Sequence, residues 1–416
     1  MTDRETGGAR NAAPPLRLLD LSRLLSRTAR HPLTGIDRVE LAYIDALLAQ
    51  PGPFLALLRA SPLYVLLDRA GAARLREMVL SGKSPGQADF LSRFMRKQNQ
   101  IQREANSFAR RIAMARCRPS GLARMLRRHA PQGGSYINVS HGNLTDLFLG
   151  TLREAGFRIN ILIHDTIPVD YPQFSTPRST RDFADFLTRV SAMSDFVIYN
   201  SDQSRQDAER HFAQAGRIPP ALVAHLGHAP PGADPSALPP GMPPARPYFV
   251  TVGTIEPRKN HALLLDIWDG MAASLPDDRM PGLLIVGSRG WKNEEVFRRL
   301  DTSPLMGRHV HELSGLTDGG VMALMQGAHA LLFPSFVEGF GLPVLEAASI
   351  GLPAVCCDLP IYREFAGDYP VYLDPGDQYV WRAKILELAQ AAQPRRQTPL
   401  VTAGWARHFD LVLPRV

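Results

Sequence analysis

The sequence predicts an α/β protein made of two doubly wound halves, and three observations carry that prediction. Short apolar or β-branched runs at residues 54–58, 136–139, 159–163, 196–199, 248–252, 282–286 and 330–333 alternate with helical stretches. That is the pattern of parallel sheets covered by helices on both faces. The chain has 416 residues, more than one core usually supports. Residues 230–247 read PPGADPSALPPGMPPARP, a proline-rich stretch with few bulky apolar side chains, which suits a linker. Two such halves place a ligand cleft between them, outside the carboxyl ends of their strands.

Taken in order, residues 1–15 are polar and expected to be disordered. Residues 16–229 form the first domain, with a basic helical insertion at about 68–128. After the linker, residues 248–390 form the second domain, and 391–416 a tail with a short helix at 400–409. No apolar run reaches the roughly eighteen residues of a membrane span, and the polar start lacks a secretory core. The expected location is therefore the cytoplasm. Cys117, Cys356 and Cys357 have no zinc-like or disulfide-framework spacing, so buried thiols in a reducing compartment explain them.

The net charge of +7 comes from one segment. Residues 68–128 carry 15 Lys and Arg against 4 Asp and Glu, an excess of +11 that leaves the rest of the chain at −4. Within it, Phe90, Leu91, Phe94, Met95, Ile101, Phe108, Ile112 and Met114 recur at close to helical spacing among arginines and lysines. Such a helix suits an anionic membrane surface or a charged acceptor, and equally a helix packed on its own domain with a solvated basic face. No nucleic-acid motif accompanies the charge, so a nucleic-acid partner is not expected.

Two segments carry chemistry. In PSFVEGFGLPVLEAASIGLP, residues 334–353, Glu338 and Glu346 flank a glycine-rich turn, with Pro343 placed to open a helix. Gly339 and Gly341 let the backbone approach a ligand, and a helix start suits an anion. An acidic pair around an anion cradle fits a sugar joined to a diphosphate; a plain strand-loop-helix link with solvated glutamates is the alternative. In VGTIEPRKNHALLLDIW, residues 252–268, Arg258 and Lys259 follow a strand end and precede a helix. A guanidinium fork beside a point charge can follow charge building on a departing phosphate. Alone, the same segment also reads as a helix capped near Asn260 with a surface Arg-Lys pair.

Together these segments resemble the retaining GT-B fold glycosyltransferases of family four, the glycosyl transferases group 1, with a mannosyltransferase-like pattern. E-P-R-K-N after a strand and G-T, then P-S-x-x-E-G-F-G-L-P-x-x-E-A some eighty residues on, carry the resemblance across about residues 248–377. LLIVGSRGW, LSGLTD and GLPAVCCDLPIYREFAGDYPVYLDPGD lie within the same stretch. In the first half T-G-I-D-R-V at 34–39, I-H-D-T-I-P at 163–168 and N-S-D-Q-S at 200–204 are weaker likenesses. The resemblance implies two Rossmann-like domains facing each other across a cleft. It also implies transfer of a hexose, from GDP-mannose first and UDP-hexose behind it, to a growing cell-surface polysaccharide or lipid-linked glycan acceptor, and the basic segment would bring a lipid-linked acceptor to the inner face of the plasma membrane.

The same resemblance implies roles. Arg258 and Lys259 would bind the diphosphate, Glu338 would meet sugar hydroxyls, and Glu346 would accept from the ribose diol. Phe340, Gly341 and Leu342 would offer backbone N–H groups; Gly35, Gly253 and Thr254 complete the donor-binding set. His164, with Asp165, would face the sugar or the acceptor hydroxyl. No metal and no cofactor are expected. The route is either a glutamate nucleophile, as in retaining hydrolases, or same-face attack in which the leaving phosphate takes the acceptor proton. The second is favoured because Glu338 has no evident partner acid. A nucleotide-sugar epimerase or phosphorylase of the same plan, or a non-catalytic sugar-nucleotide-binding membrane scaffold, are the competing readings. His225 and His228 have metal-like spacing but no third ligand, which favours ordinary residues. Trp291 suits a base or sugar pocket or simple packing, and Tyr362 and Glu364 receive no role.

Overall fold

The computed structural model describes residues 15–28, 33–93, 95, 98–391, 393–401 and 404–416. Residues 1–14 of the expected disordered start, and Phe94 of the basic segment, lie outside the described residues. The chain divides into two compact units. One holds the N-terminal residues to Ala29, Ile36–Ile161 and Val416, and the other holds Arg30–Gly35 and Leu162–Arg415.

The first unit contains β1 Arg17–Asp20, β2 Phe54–Ala60, β3 Leu63–Leu67, β4 Ala115–Cys117, β5 Gly134–Asn138 and most of β6 Phe157–Ile163. Their order is β4-β3-β2-β1-β5-β6. The parallel expectation holds for β2-β1-β5-β6 and fails at one edge, where β3 runs antiparallel to both β2 and β4. Only Ser61 and Pro62 join β2 to β3, and a parallel crossover needs a dozen residues or more. A hairpin is the geometry that remains.

The basic segment is not one amphipathic helix. It divides into helices Arg69–Ser81, Phe90–Arg93, Gln100–Arg111 and Leu122–His129, with β4 among them. Asn99 and Gln102 form a capping box that starts a fresh helix in the middle of the expected one. Much of its charge is spent on the protein's own backbone and carboxylates. Arg69 donates to the carbonyls of Leu47, Leu48, Gln50 and Gly52 at 2.6–3.1 Å. Buried Arg110 forks onto Asp89 at 2.8 Å twice, Arg111 reaches the Pro85 and Gln87 carbonyls, and Arg127 pairs with Glu154. Arg74, Lys83, Arg116, Arg118, Arg124 and Arg128 stay exposed.

The second unit contains β7 Phe196–Tyr199 and β8 Ala221–Val223, which pair in parallel. It also holds an all-parallel sheet of β9 Tyr248–Val252, β10 Gly282–Val286, β11 Val310–Leu313, β12 Ala330–Phe333, β13 Ala354–Cys357 and β14 Val371–Leu373. β10, β12 and β13 are buried along their whole length, as strands covered on both faces must be. Helix His261–Ala272 turns Leu264, Ile267, Trp268 and Met271 into a core with Phe249, Leu283, Ile285 and Trp381. The Trp268 indole N–H donates to the Pro281 carbonyl at 2.9 Å, so that large ring is buried without an unsatisfied donor. The proline-rich stretch between β8 and β9 holds one 3₁₀ turn, Pro235–Ala237. Cys356 and Cys357 are buried in β13 as expected, whereas Cys117 is partly exposed. The tail helix runs over Gly404–Val412, four residues later than its expected start. Among the described residues, no helix is long and apolar enough to cross a membrane.

Candidate functional site

The second sheet has the order β11-β10-β9-β12-β13-β14, so the chain reverses direction across the sheet between β9 and β12. In doubly wound sheets, ligands bind outside the carboxyl ends of the strands at that reversal. The loops leaving β9 and β12 are the two segments singled out by the sequence. After β9, Gly253 donates to the Val286 carbonyl and Ile255 to that of Ser288, each at 2.9 Å, before the 3₁₀ turn Pro257–Lys259. After β12, the Phe336 N–H donates to the Arg258 carbonyl at 2.8 Å, stitching the loops together.

Charges converge there. Arg258 Nη1 lies 2.7 Å from Glu338 Oε2 and also donates to the Val337 carbonyl at 3.0 Å, while Nη2 lies 2.7 Å from Glu256 Oε1. Lys259 Nζ makes an ion-pair contact with Glu338 Oε1 at 2.6 Å and sits 4.2 Å from the centroid of the Phe333 ring. Burial alone would raise the Glu338 carboxyl, yet Arg258 and Lys259 hold it down at about 2. Burial pushes Lys259 below the usual lysine value, with Glu338 opposing. It raises Glu256 and Asp165, with the Arg258 charge opposing in both. Asn260 takes the left-handed conformation between the turn and helix His261–Ala272, and its side chain makes no cap hydrogen bond. The Arg-Lys pair is thus neither a surface pair nor an accessory to a capped helix.

The depressed Glu338 value has a stability consequence. A carboxylate with lowered folded-state pKa contributes stability that is fully present above its unfolded value, near 4.5, and is lost as pH falls toward about 2. In urea unfolding at pH 6, 4 and 3, Glu338→Gln is expected to lose less stability over that descent than the unaltered chain.

The turn after Glu338 is tightly enclosed. A Cβ on Gly339 would lie 2.7 Å from Asp165 Oδ2 and 3.0 Å from the His164 carbonyl oxygen, so only glycine admits this approach. Asn200 Nδ2 donates to that same carbonyl at 2.8 Å and to the Gly339 carbonyl at 3.2 Å. Ser204 adds a third tie, from Oγ to the His164 carbonyl at 3.1 Å. His164 therefore meets the Glu338 turn through its backbone oxygen. Gly341 has φ +92, and a Cβ there would fall 2.4 Å from Cε1 of buried Tyr362. Gly341→Ala is expected to lower unfolding free energy by about 3 kcal/mol, adding left-handed strain to overpacking, as read from a denaturant midpoint.

Helix Leu342–Ser349 starts one residue before Pro343, which occupies its second position. Glu346 is therefore its fifth residue, just past the first turn, and is buried. Phe340 stacks on Phe365 at 5.0 Å. Gly35 opens helix Gly35–Ala49, and a Cβ on it would lie 3.2 Å from Leu342 Cδ1. The structure thus gathers Gly253, Thr254, Arg258, Lys259, Glu338, Phe340 and Gly341 on two adjoining loops, with Leu342 and Glu346 on the helix that follows the second and Gly35 and the His164 backbone against the turn.

Three neighbours escaped the sequence reading. Glu256 stands in the quoted E-P-R-K-N run, and an acid two residues before an arginine was a signal left unused. Asn200 begins N-S-D-Q-S, whose purpose is visible only across 139 residues, at Gly339. Glu364 accepts from the Asp202 N–H at 2.7 Å and the Gln203 N–H at 3.4 Å, capping helix Asp202–Gln214 from outside. Its Oε1 also lies 2.6 Å from His225 Nε2, so His225 serves a carboxylate. Among the described residues, no group of three or more His, Cys, Asp and Glu could hold a metal ion. Trp291 donates its indole N–H to the Phe174 carbonyl at 3.0 Å.

This is the fold of a sugar-transferring class. Residues 239–398 match the family model of glycosyl transferases group 1, and the chain has the α/β architecture of GT-B glycosyltransferases. Among its relatives is the serotype-specific mannosyltransferase WbdA of Escherichia coli, 30% identical over 237 residues, 54% of this chain and 29% of that one. Another is the Escherichia coli O-antigen chain mannosyltransferase B, 35% identical over 146 residues, 34% of this chain and 37% of that one. The chain spans about three tenths of the length of WbdA. The solved structure of Anabaena HepE with UDP-glucose shares the fold, with a TM-score of 0.56 at 15% identity over 89% of this chain and 88% of that one.

Proposed function

We propose that the chain is a retaining hexosyltransferase that moves mannose, with other hexoses behind it, from a nucleoside diphosphate sugar to a growing glycan or lipid-linked acceptor. The observation that carries this is the ion-paired group of Arg258, Lys259 and Glu338 at the reversal of the second sheet. The two cations stand where a diphosphate would meet them, and their charge is already balanced by the carboxylates of Glu338 and Glu256. A donor's diphosphate takes over that balance and frees Glu338 toward the sugar hydroxyls. As the glycosidic bond breaks, negative charge grows on the departing phosphate beside Arg258 and Lys259, which lowers the barrier because the charges are fixed in advance. The leaving phosphate then takes the acceptor proton on the same face. Glu346 receives the ribose diol, and the N–H groups of Phe340, Gly341 and Leu342 face the sugar-phosphate. No metal ion takes part.

Mannose is placed first because the mannosyltransferases WbdA and O-antigen chain mannosyltransferase B are similar to this chain. A melting-temperature screen of GDP-mannose, UDP-glucose and other nucleotide sugars tests it, since a ligand that binds only the folded state raises the midpoint. GDP-mannose is expected to give the largest rise; a larger rise with a UDP sugar reassigns the donor. The exposed Arg74, Lys83, Arg116, Arg118, Arg124 and Arg128 are the groups left for an anionic leaflet at the cytoplasmic face. Co-sedimentation with anionic vesicles at low salt is expected, and its absence removes the membrane from this account.

A further inference from the structure

Among the exposed aromatic side chains described in the second unit, Tyr171 at 39%, Phe336 at 42% and Trp291 at 49% go together. They belong to one construction. Tyr171 stacks on Phe174 with ring centroids 6.4 Å apart and planes 18° from parallel, and Phe174 stacks on Phe336 at 5.9 Å and 8°. The Trp291 indole N–H holds the Phe174 carbonyl at 3.0 Å, and Lys292 Nζ holds the carbonyls of Gln173 and Ser175 at 3.0 and 2.8 Å. The turn Pro172–Phe174 is thus clamped in place, and the rings on it are fixed. Phe336 in turn is bonded through its N–H to the Arg258 carbonyl and stands two residues before Glu338. The row is continuous with the candidate donor site.

Exposed aromatic area gathered in one place marks a ligand surface rather than ordinary packing. Its chemistry narrows the ligand. The Trp291 N–H and the Lys292 ammonium are already engaged with backbone carbonyls, so what the clamped row offers is its ring faces. A lipid phosphate needs a free cation, which the clamp does not supply. A pyranose presents a face of C–H groups with hydroxyls at its rim, and such a face lies well against an aromatic ring whose surroundings are wet.

We infer that Tyr171, Phe174 and Phe336, with Trp291 beside them, form an acceptor subsite that takes the pyranose rings of a glycan. This rests on the transferase reading, in which the acceptor must lie next to the sugar assigned to Glu338. The occupant is a saccharide chain, and the subsite selects acceptors by their sugar faces.

The test titrates the full chain with a mannose trisaccharide, a glucose trisaccharide, GDP and UDP, following binding by calorimetry and saturation-transfer NMR. The unaltered protein is expected to bind at least one trisaccharide. Tyr171→Ala and Phe336→Ala weaken that binding at least tenfold, Phe336→Tyr keeps it within threefold, and nucleoside diphosphate affinity stays within threefold throughout. Absence of trisaccharide binding, or binding indifferent to loss of both rings, overturns the inference. Loss of GDP or UDP affinity with trisaccharide binding intact also overturns it, assigning the row to a nucleobase. If the trisaccharide binds through the row yet no nucleotide sugar is turned over, the subsite stands and the transferase reading falls.

Discussion

Replacing Glu338 by Gln is expected to lower transfer by about 10²- to 10³-fold while nucleoside diphosphate binds more tightly than before. The two effects have one origin. Glu338 is the shared counter-ion of Arg258 and Lys259, both within 2.7 Å of its oxygens, and its side chain is almost fully buried. An amide of the same shape leaves Lys259 without its carboxylate partner and Arg258 with Glu256 alone. Removing one member of a buried ionic group costs about 3–5 kcal/mol, so the free protein should melt earlier. A diphosphate restores the missing charge, so the melting point should recover with GDP or UDP more than that of the unaltered chain does. Transfer is expected to suffer because the carboxylate proposed to meet the sugar hydroxyls is gone. Near-normal transfer by this variant removes Glu338 from the sugar.

Lys259→Met is the second large effect, expected to reduce kcat by about 10²- to 10³-fold and to weaken nucleoside diphosphate binding. Methionine nearly matches the volume, keeps contact with the Phe333 ring, and leaves Glu338 paired with Arg258. Because Glu338 keeps Arg258 as a partner and burial opposes the lysine charge, this change is expected to cost less folding stability than Glu338→Gln. Calorimetric titration with GDP and UDP beside single-turnover kinetics separates binding from chemistry. The contrast with Glu338→Gln is the informative part: one variant tightens the diphosphate, the other loosens it, and both slow transfer.

The second sheet and its loops were legible from the sequence for a physical reason. Buried parallel strands such as Gly282–Val286 are continuous apolar runs, and the glycines, acids and cations at their ends are local signals. Pro343 and Gly341 marked the helix start to within a residue. What escaped depends on distance along the chain. Asn200 reaches Gly339 across 139 residues and Glu364 reaches Asp202 across 162, and no spacing rule points from one to the other. The basic segment misled for the opposite reason: its spacing suggested one helix, but the Asn99 capping box and the partners of Arg69, Arg110 and Arg111 are decided locally and by tertiary contact. His164 was read as a side chain, whereas its carbonyl is the atom that Asn200 and Ser204 hold beside Gly339.

The central claim is that Arg258, Lys259 and Glu338 form the donor end of a sugar-transfer site. Its most direct measurement is release of nucleoside diphosphate from a panel of nucleotide sugars, with product sugars identified, for the unaltered chain and Lys259→Met side by side. The account predicts release from at least one donor, GDP-mannose foremost, with the freed or transferred sugar unchanged in identity and the rate falling at least a hundredfold in the variant. An isomerised sugar, turnover that requires inorganic phosphate, or equal rates from both proteins would contradict it.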